Sequence, residues 1–356
     1  MDEFNVIRSI CEEELDHNHE IAIYPMGKIG LMAYLLLKDV YGYECIQIDN
    51  YKSKYNRRII SIDEFIASNN SNATVVLCVA DARLGNVLRE KLDQGGVRYR
   101  DIQNPYENCV MVRNNQENIN YFCEVKKLLK VYHVKGYDMV RIGDEHDGGY
   151  VMLNDFEKCG VAYSFGLASN CKWEEDISCR GVKVNCYDHT ISEIISDMPS
   201  IHFYKKGLTG SKRSDSTLFQ LSSLIEENND VDKMNMILKM DIEGSEWEVI
   251  RNLDSELIKR FDQITVELHN LVDHISKKEV IIGALKRIAE THTCIWIHGN
   301  NNGQIGECGN IIIPNYIEAT FANKESYEFE EIDYSCPTQF DSPNSIYKRE
   351  IVLKRW

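Results

Sequence analysis

Between Met236 and Ile250 the chain changes character within a few residues. Met236-Ile237-Leu238-Lys239-Met240 is an apolar run broken by one lysine, Asp241 and Glu243 follow at once, then Gly244, and Trp247, Val249 and Ile250 take the spacing of a starting helix. A short continuous apolar run reads as a strand buried on both faces. Its carboxyl end then delivers two carboxylates to the edge at which open α/β sheets bind ligands. The same alternation of apolar run, turn and helical spacing recurs along most of the chain.

In the first third, the run Ile21 to Tyr24 leads into Pro25-Met26-Gly27-Lys28-Ile29-Gly30 and a helical pattern from Leu31 to Lys38. A second run, Cys45 to Ile48, ends at Asp49, about 20 residues past the glycines. This is the layout of a βαβ unit that cradles a dinucleotide. Pro25 stands where the first glycine of G-x-G-x-x-G belongs and offers no amide hydrogen to a phosphate. Thr74 to Ala80 and Asn86 to Leu92 continue the alternation, so residues 1–105 are expected to form a small Rossmann-like α/β domain, either nucleotide-binding or purely structural. Asn104 to Glu107, with Pro105 inside, marks the boundary. A connecting helix over Glu117 to Tyr132 lies within the 106–135 linker, with Ile119, Phe122, Val125, Leu128 and Leu129 on one face.

Residues 136–356 form the second domain. Val140 to Gly143 and Tyr150 to Met152 flank Gly148-Gly149, a hairpin or bulge signal. Gly160 to Ala168 is a buried strand that runs into the turn at Gly166. Trp173, Glu174, Ile177 and Cys179 mark a helix, and Val182 to Tyr187 is a strand closed by Asp188, 22 residues beyond Gly166. Gly166 lets backbone approach a ligand closely, and the Asp188 carboxylate can accept both hydroxyls of a ribose. S-adenosylmethionine suits this layout at least as well as NAD, because it lacks a pyrophosphate and needs no full G-x-G-x-x-G. A third strand, Ile201 to Tyr204, leads to Gly207 to Gly210, and an amphipathic helix spans Thr217 to Glu226. After the 236–240 strand come Gln263 to Leu268 ending in His269-Asn270, a helix from Val280 to Ala289, and Thr293 to Ile297 ending in His298. Ile311 to Pro314 with Ile317 to Phe321 supply the last strand, and Ile351 to Leu353 pair near it.

Strands alternating with helices are parallel, and their carboxyl ends share one rim. Asp241, Glu243, His269 and His298 are therefore expected to meet. Together they offer a divalent metal site, with magnesium or manganese suited to the carboxylates and zinc or iron added by the histidines. Alternatively His269 acts as general base on a substrate hydroxyl.

Composition narrows the classes. With 356 residues, 43% hydrophobic and 27% charged, the chain has the profile of a two-domain globular protein. The net charge of −16 argues against sequence-independent binding to nucleic acid, although Lys205-Lys206 with Lys212-Arg213 form a small basic cluster. No apolar run nears the ~20 residues of a membrane span, and the acidic start, Met1 to Asp16, is unlike a signal peptide. The twelve cysteines are scattered with no C-x-x-C pair. That pattern predicts buried thiols in a reducing cytoplasm and neither a disulfide framework nor a zinc site.

The second domain resembles the FkbM-type methyltransferases, and more closely the methyltransferase-like proteins of that superfamily with a D-G-G-Y segment. The resemblance lies in Arg141-Ile142-Gly143, Asp147-Gly148-Gly149-Tyr150-Val151, Tyr163-Ser164-Phe165-Gly166, Tyr187-Asp188 and Leu238 to Trp247, and covers roughly 135–320. It implies a class I methyltransferase sheet, mostly parallel and seven-stranded, with S-adenosylmethionine as donor. It also implies donor contacts from Tyr150, Phe165, Gly166, Leu167 and Asp188, with Asp241 beside the transferred methyl. Many members have D-x-G-x-x-x-G at the glycine turn, and this chain departs from that form over Leu167 to Asn170.

The expected activity is O-methylation of a small polar acceptor, a sugar or nucleotide-linked sugar in glycan biosynthesis, with His269 or Asp241 removing the hydroxyl proton. The metal option at Asp241, Glu243, His269 and His298 stays open, as does a homo-oligomer. The competing readings are a nicotinamide-dependent oxidoreductase using the first domain and a non-catalytic protein that binds S-adenosylmethionine without turnover.

Overall fold

The computed structural model describes residues 20–68, 73–79, 82–101, 109–167, 171–211, 216–309, 311–345, 348, 350–353 and 356. The acidic start of the chain, the boundary expected at Asn104 to Glu107, the pair Lys212-Arg213 and the turn residues Ala168 to Asn170 lie outside the described residues. The chain divides into two compact units, 1–107 with 347–349 and 108–346 with 350–356. Among the described residues no helix is long and apolar enough to cross a membrane.

The first unit is built on a parallel sheet of five strands, Glu20–Tyr24, Ile46–Ile48, Ile59–Ile60, Ala73–Leu77 and Tyr99–Asp101, in the order third, second, first, fourth, fifth. Its central strand alternates sides. Ile21 and Ile23 pack with Met26, Ala33 and Leu37, whereas Ala22 and Tyr24 pack with Ile48, Phe65 and Leu92. The helix Ile62–Ala67 opens with a capping box between Ser61 and Glu64.

The glycine turn of this unit has a packing reason. A β-carbon on Gly30 would stand 2.2 Å from the Pro25 carbonyl oxygen, so only glycine lets the helix Lys28–Leu35 lie this close to the strand. Asp49 accepts the amides of Tyr51 at 2.9 Å and Lys52 at 2.8 Å through Oδ1, while the Lys52 ammonium donates to the Met26 carbonyl. The two features that read as a dinucleotide cradle are thus engaged in holding their own turns.

The second unit centres on a sheet of seven strands. In chain order these are β1 (Val161–Phe165), β2 (Lys183–Tyr187), β3 (Ile201–Tyr204), β4 (Met236–Met240), β5 (Phe261–Leu268), β6 (His292–Gly299) and β7 (Ile317–Asn323). They lie in the order β3-β2-β1-β4-β5-β7-β6, all parallel except β7, which runs antiparallel to both neighbours. β1 and β4 are buried throughout, as continuous apolar runs in a parallel sheet require. The antiparallel hairpin Met139–Gly143 with Gly149–Leu153 adds Ile142, Tyr150 and Met152 to a core shared with Trp173, Ile177, Val184 and Ile237.

Three elements differ from expectation. The helix expected from Thr217 begins at Leu221, because Leu218–Phe219 pairs in parallel with Gly207–Leu208 and Gln220 keeps an extended backbone. The linker helix stops at Leu128, and Tyr132–Val134, rich in strand-forming residues, pairs instead with Phe329–Glu331. Of the two segments expected to form the last strand, only Ile317–Asn323 enters the main sheet. Ile311–Pro314 folds back on Ile305–Cys308 in a separate sheet with Cys109–Met111, and Ile351–Leu353 contributes a single bridge from Leu353 to Cys336.

Candidate functional site

A cavity of ≈ 630 Å³ opens at the carboxyl ends of β1, β2 and β4, lined in part by Phe165, Gly166, Leu167, Asp188, Lys239 and Asp241. The volume is within the range of small-molecule sites, and strand carboxyl ends are where open α/β sheets place them.

The wall at β1 is made of backbone. Gly166 has φ +80 and donates to the Tyr187 carbonyl at 3.1 Å, while the Asp241 amide donates to the Phe165 carbonyl at 2.9 Å. Asp188 fixes the turn from the side: Oδ2 accepts the Leu167 amide at 3.1 Å, and Oδ1 accepts the amide and hydroxyl of Thr190 at 2.7 and 2.6 Å. Both carboxylate oxygens are oriented before any ligand arrives.

Beneath the turn lies a buried ion pair. The Lys239 ammonium donates to the Gly166 carbonyl at 2.7 Å and stands 3.8 Å from Glu174 Oε1, which also accepts the Ser164 hydroxyl. Glu174 is 0% exposed, yet among the described residues its Oε2 has no hydrogen-bond partner, and neither has the indole Nε1 of the buried Trp173. Both residues line the cavity. A buried polar atom left unpaired is costly, so this corner of the unit is under polar strain beside the cavity wall.

At the other end, β5 brings Glu267 and His269 beside Asp241. His269 Nε2 lies 3.9 Å from Asp241 Oδ1, 3.8 Å from Glu267 Oε1 and 3.7 Å from Glu243 Oε2, while Nδ1 meets Glu246 Oε1 at 3.0 Å. Burial alone would lower the His269 pKa, but the hydrogen bond to Glu246 and the charges of Glu267, Glu246 and Asp241 prevail and raise it to about 9. Burial first, and the Asp241 charge second, push the Glu267 carboxyl well above its ordinary range and the Tyr150 phenol likewise. The Tyr150 hydroxyl donates to Asp241 Oδ2 at 3.2 Å.

Of the residues expected at the site, Phe165, Gly166, Leu167, Asp188, Asp241 and Glu243 line the cavity. Tyr150 and His269 are not among the described lining residues and stand behind Asp241. His298 does not join them. It lies on β6, separated from β5 by the inserted β7, and its Nδ1 and Nε2 each meet a carboxylate at 3.0 Å, Glu318 and Glu350. Among the described residues, the His, Asp and Glu side chains whose ligand atoms all lie within 4.8 Å of one another are Asp241, Glu267 and His269. Glu267 therefore takes the place expected of His298. It could have been found from strand alternation, since residues 267 and 269 point to the same face. Trp173 and Glu174 read as helix markers only, and Lys239 as an interruption of an apolar run.

The sequence profile of the family described as methyltransferase FkbM domain matches residues 197–285. Among solved structures, methyltransferase FkbM from Methylobacillus flagellatus KT is similar at 11% identity and a TM-score of 0.35, covering 87% of this chain and 92% of that one. No curated protein matches the chain.

Proposed function

We propose that this chain, whose second unit carries an FkbM-type methyltransferase domain, transfers a methyl group from S-adenosylmethionine to a hydroxyl of a small polar acceptor, a sugar or nucleotide-linked sugar. The observation that carries the reading is the cavity at the ends of β1, β2 and β4, with a glycine turn at one wall and the Asp188 carboxylate beside it. A mostly parallel sheet of seven strands with its ligand cavity on that rim fits the class I methyltransferase fold.

The cavity residues suit the donor's polar groups. Asp188 would accept the ribose hydroxyls, and Trp173 and Glu174 line the cavity beside the turn. The turn at Phe165, Gly166 and Leu167 would hold the methionine chain. When bound, the donor supplies an electrophilic methyl on a sulfonium.

The protein's share is mainly positioning, which can supply much of the barrier reduction in such a transfer. Asp241 lines the cavity with its side chain 26% exposed and would take the hydroxyl proton. Tyr150 anchors its second oxygen. His269, already protonated near neutrality by its carboxylate neighbours, is unsuited to be the base and would instead steady the Asp241 charge. The test is donor binding by calorimetry followed by methyl transfer over a panel of free sugars and nucleotide sugars. Asp241→Asn should lower turnover about 100-fold or more, as loss of a positioned base does. A wild-type chain that fails to bind the donor would overturn the reading.

A further inference from the structure

We propose that Asp241, Glu267 and His269 bind one divalent cation at the Asp241 wall of the cavity, with Glu243, which also lines that wall, closing over it as a fourth ligand. The three separations from His269 Nε2, 3.9, 3.8 and 3.7 Å, are too long for hydrogen bonds. They are close to the spacing of atoms that share an ion, since ligands about 2.1 Å from a metal lie roughly 3 to 4 Å from each other.

A second observation points the same way. His269 is 4% exposed, and while Nδ1 is taken by Glu246, Nε2 makes no hydrogen bond among the described residues and is directed among three carboxylates. A histidine whose far nitrogen is held by a carboxylate while the near one faces other ligand atoms is the arrangement found around bound metals. The carboxylates are steadied too. Asn300 donates to Glu267 Oε1 at 2.6 Å and Tyr150 to Asp241 Oδ2 at 3.2 Å. Glu243 comes from a turn with φ +56, followed by Gly244 at φ +97, and its side chain is 89% exposed, so it can swing in without disturbing the core.

One imidazole with two or three carboxylates suits an oxygen-preferring ion such as Mn²⁺. The proposal rests on the acceptor hydroxyl lying beside Asp241. A cation there would displace the proton from His269 Nε2, hold that hydroxyl and make it more acidic, leaving Asp241 Oδ2 to take the hydroxyl proton.

The test titrates Mn²⁺ alone into the full chain after EDTA treatment, following free Mn²⁺ by electron paramagnetic resonance. One ion per chain is expected, with Glu267→Gln weakening its binding about tenfold or more. Because a buried substitution can disturb folding, Glu243→Gln serves as the second variant, and a several-fold weaker uptake is expected from this exposed position. The proposal fails if the wild type takes up no Mn²⁺ at millimolar concentration, or if both variants, folded by circular dichroism, bind it as the wild type does. Donor calorimetry on the EDTA-treated protein separates the two readings. Donor binding without Mn²⁺ uptake removes the cation and leaves the methyltransferase standing; Mn²⁺ uptake without donor binding retains the cation site and removes the donor.

Discussion

The carbonyl oxygen of Asp241 stands 1.7 Å from where a β-carbon on Gly166 would be, so the ends of β1 and β4 meet backbone to backbone. Gly166→Ala must push these strand ends apart and hold a left-handed backbone with a side chain. The expected cost is about 3 kcal/mol of stability together with loss of donor binding. Thermal unfolding and calorimetry check both, and a variant with wild-type donor affinity would show that the turn does not form the cradle.

Asp188→Ala removes the acceptor of the Leu167 and Thr190 amides and the group assigned to the ribose. Donor affinity should fall about 10- to 100-fold, the equivalent of one or two charge-assisted hydrogen bonds. Asp188→Asn keeps one oxygen and should fall between the two. Calorimetric dissociation constants decide the order.

Trp173→Phe separates a ligand role from a packing role. Among the described residues the buried indole Nε1 has no partner, so the stability lost is that of packing a smaller ring, about 1 to 3 kcal/mol, while donor affinity drops by about 1 kcal/mol. Unchanged affinity would take the indole out of the donor site.

His298 sits between Glu318 and Glu350 with both nitrogens engaged. Burial works against its charge, but the two carboxylates outweigh it and raise its pKa to about 10. The resulting stabilisation is fully present below the ordinary histidine pKa of about 6.5 and is lost as pH rises through about 10. His298→Leu leaves two carboxylates without their cation and should cost about 3 to 5 kcal/mol near neutrality. Melting temperatures of wild type and variant should converge toward pH 10, and a gap constant across that range would contradict the ion-pair account.

The sequence pattern made β1, β2 and β4 legible, because strands buried on both faces are continuous apolar runs and their turns carry Gly166, Asp188 and Asp241. Asp49 and Gly30 were harder to read. A glycine needed for close packing and an aspartate capping its own turn leave the same trace as a nucleotide cradle. His298 was misplaced for a topological reason. Nothing local to residues 317–323 announces that this strand will slide between two others that precede it in the chain, two inter-strand spacings of about 4.8 Å that carry His298 away from His269. Glu174 was missed because a carboxylate on a helix looks solvated until tertiary packing buries it.

The reversed direction of β7 also decides which piece of chain arrives at the rim beside His269. Ile317, where β7 starts, pairs with Leu268 and Gly299, where β5 and β6 finish, so this strand presents its entrance where its neighbours present their exits. The residue just before it, Tyr316, stands with its ring centroid 5.1 Å from that of His269. Tyr316 therefore brings the chain that enters β7 against His269, while the glycine turn and its carboxylates come from β1, β2 and β4. The glycine turn and the surroundings of His269 are thus built by separate stretches of chain, so a change at Tyr316 can alter one and leave the other untouched.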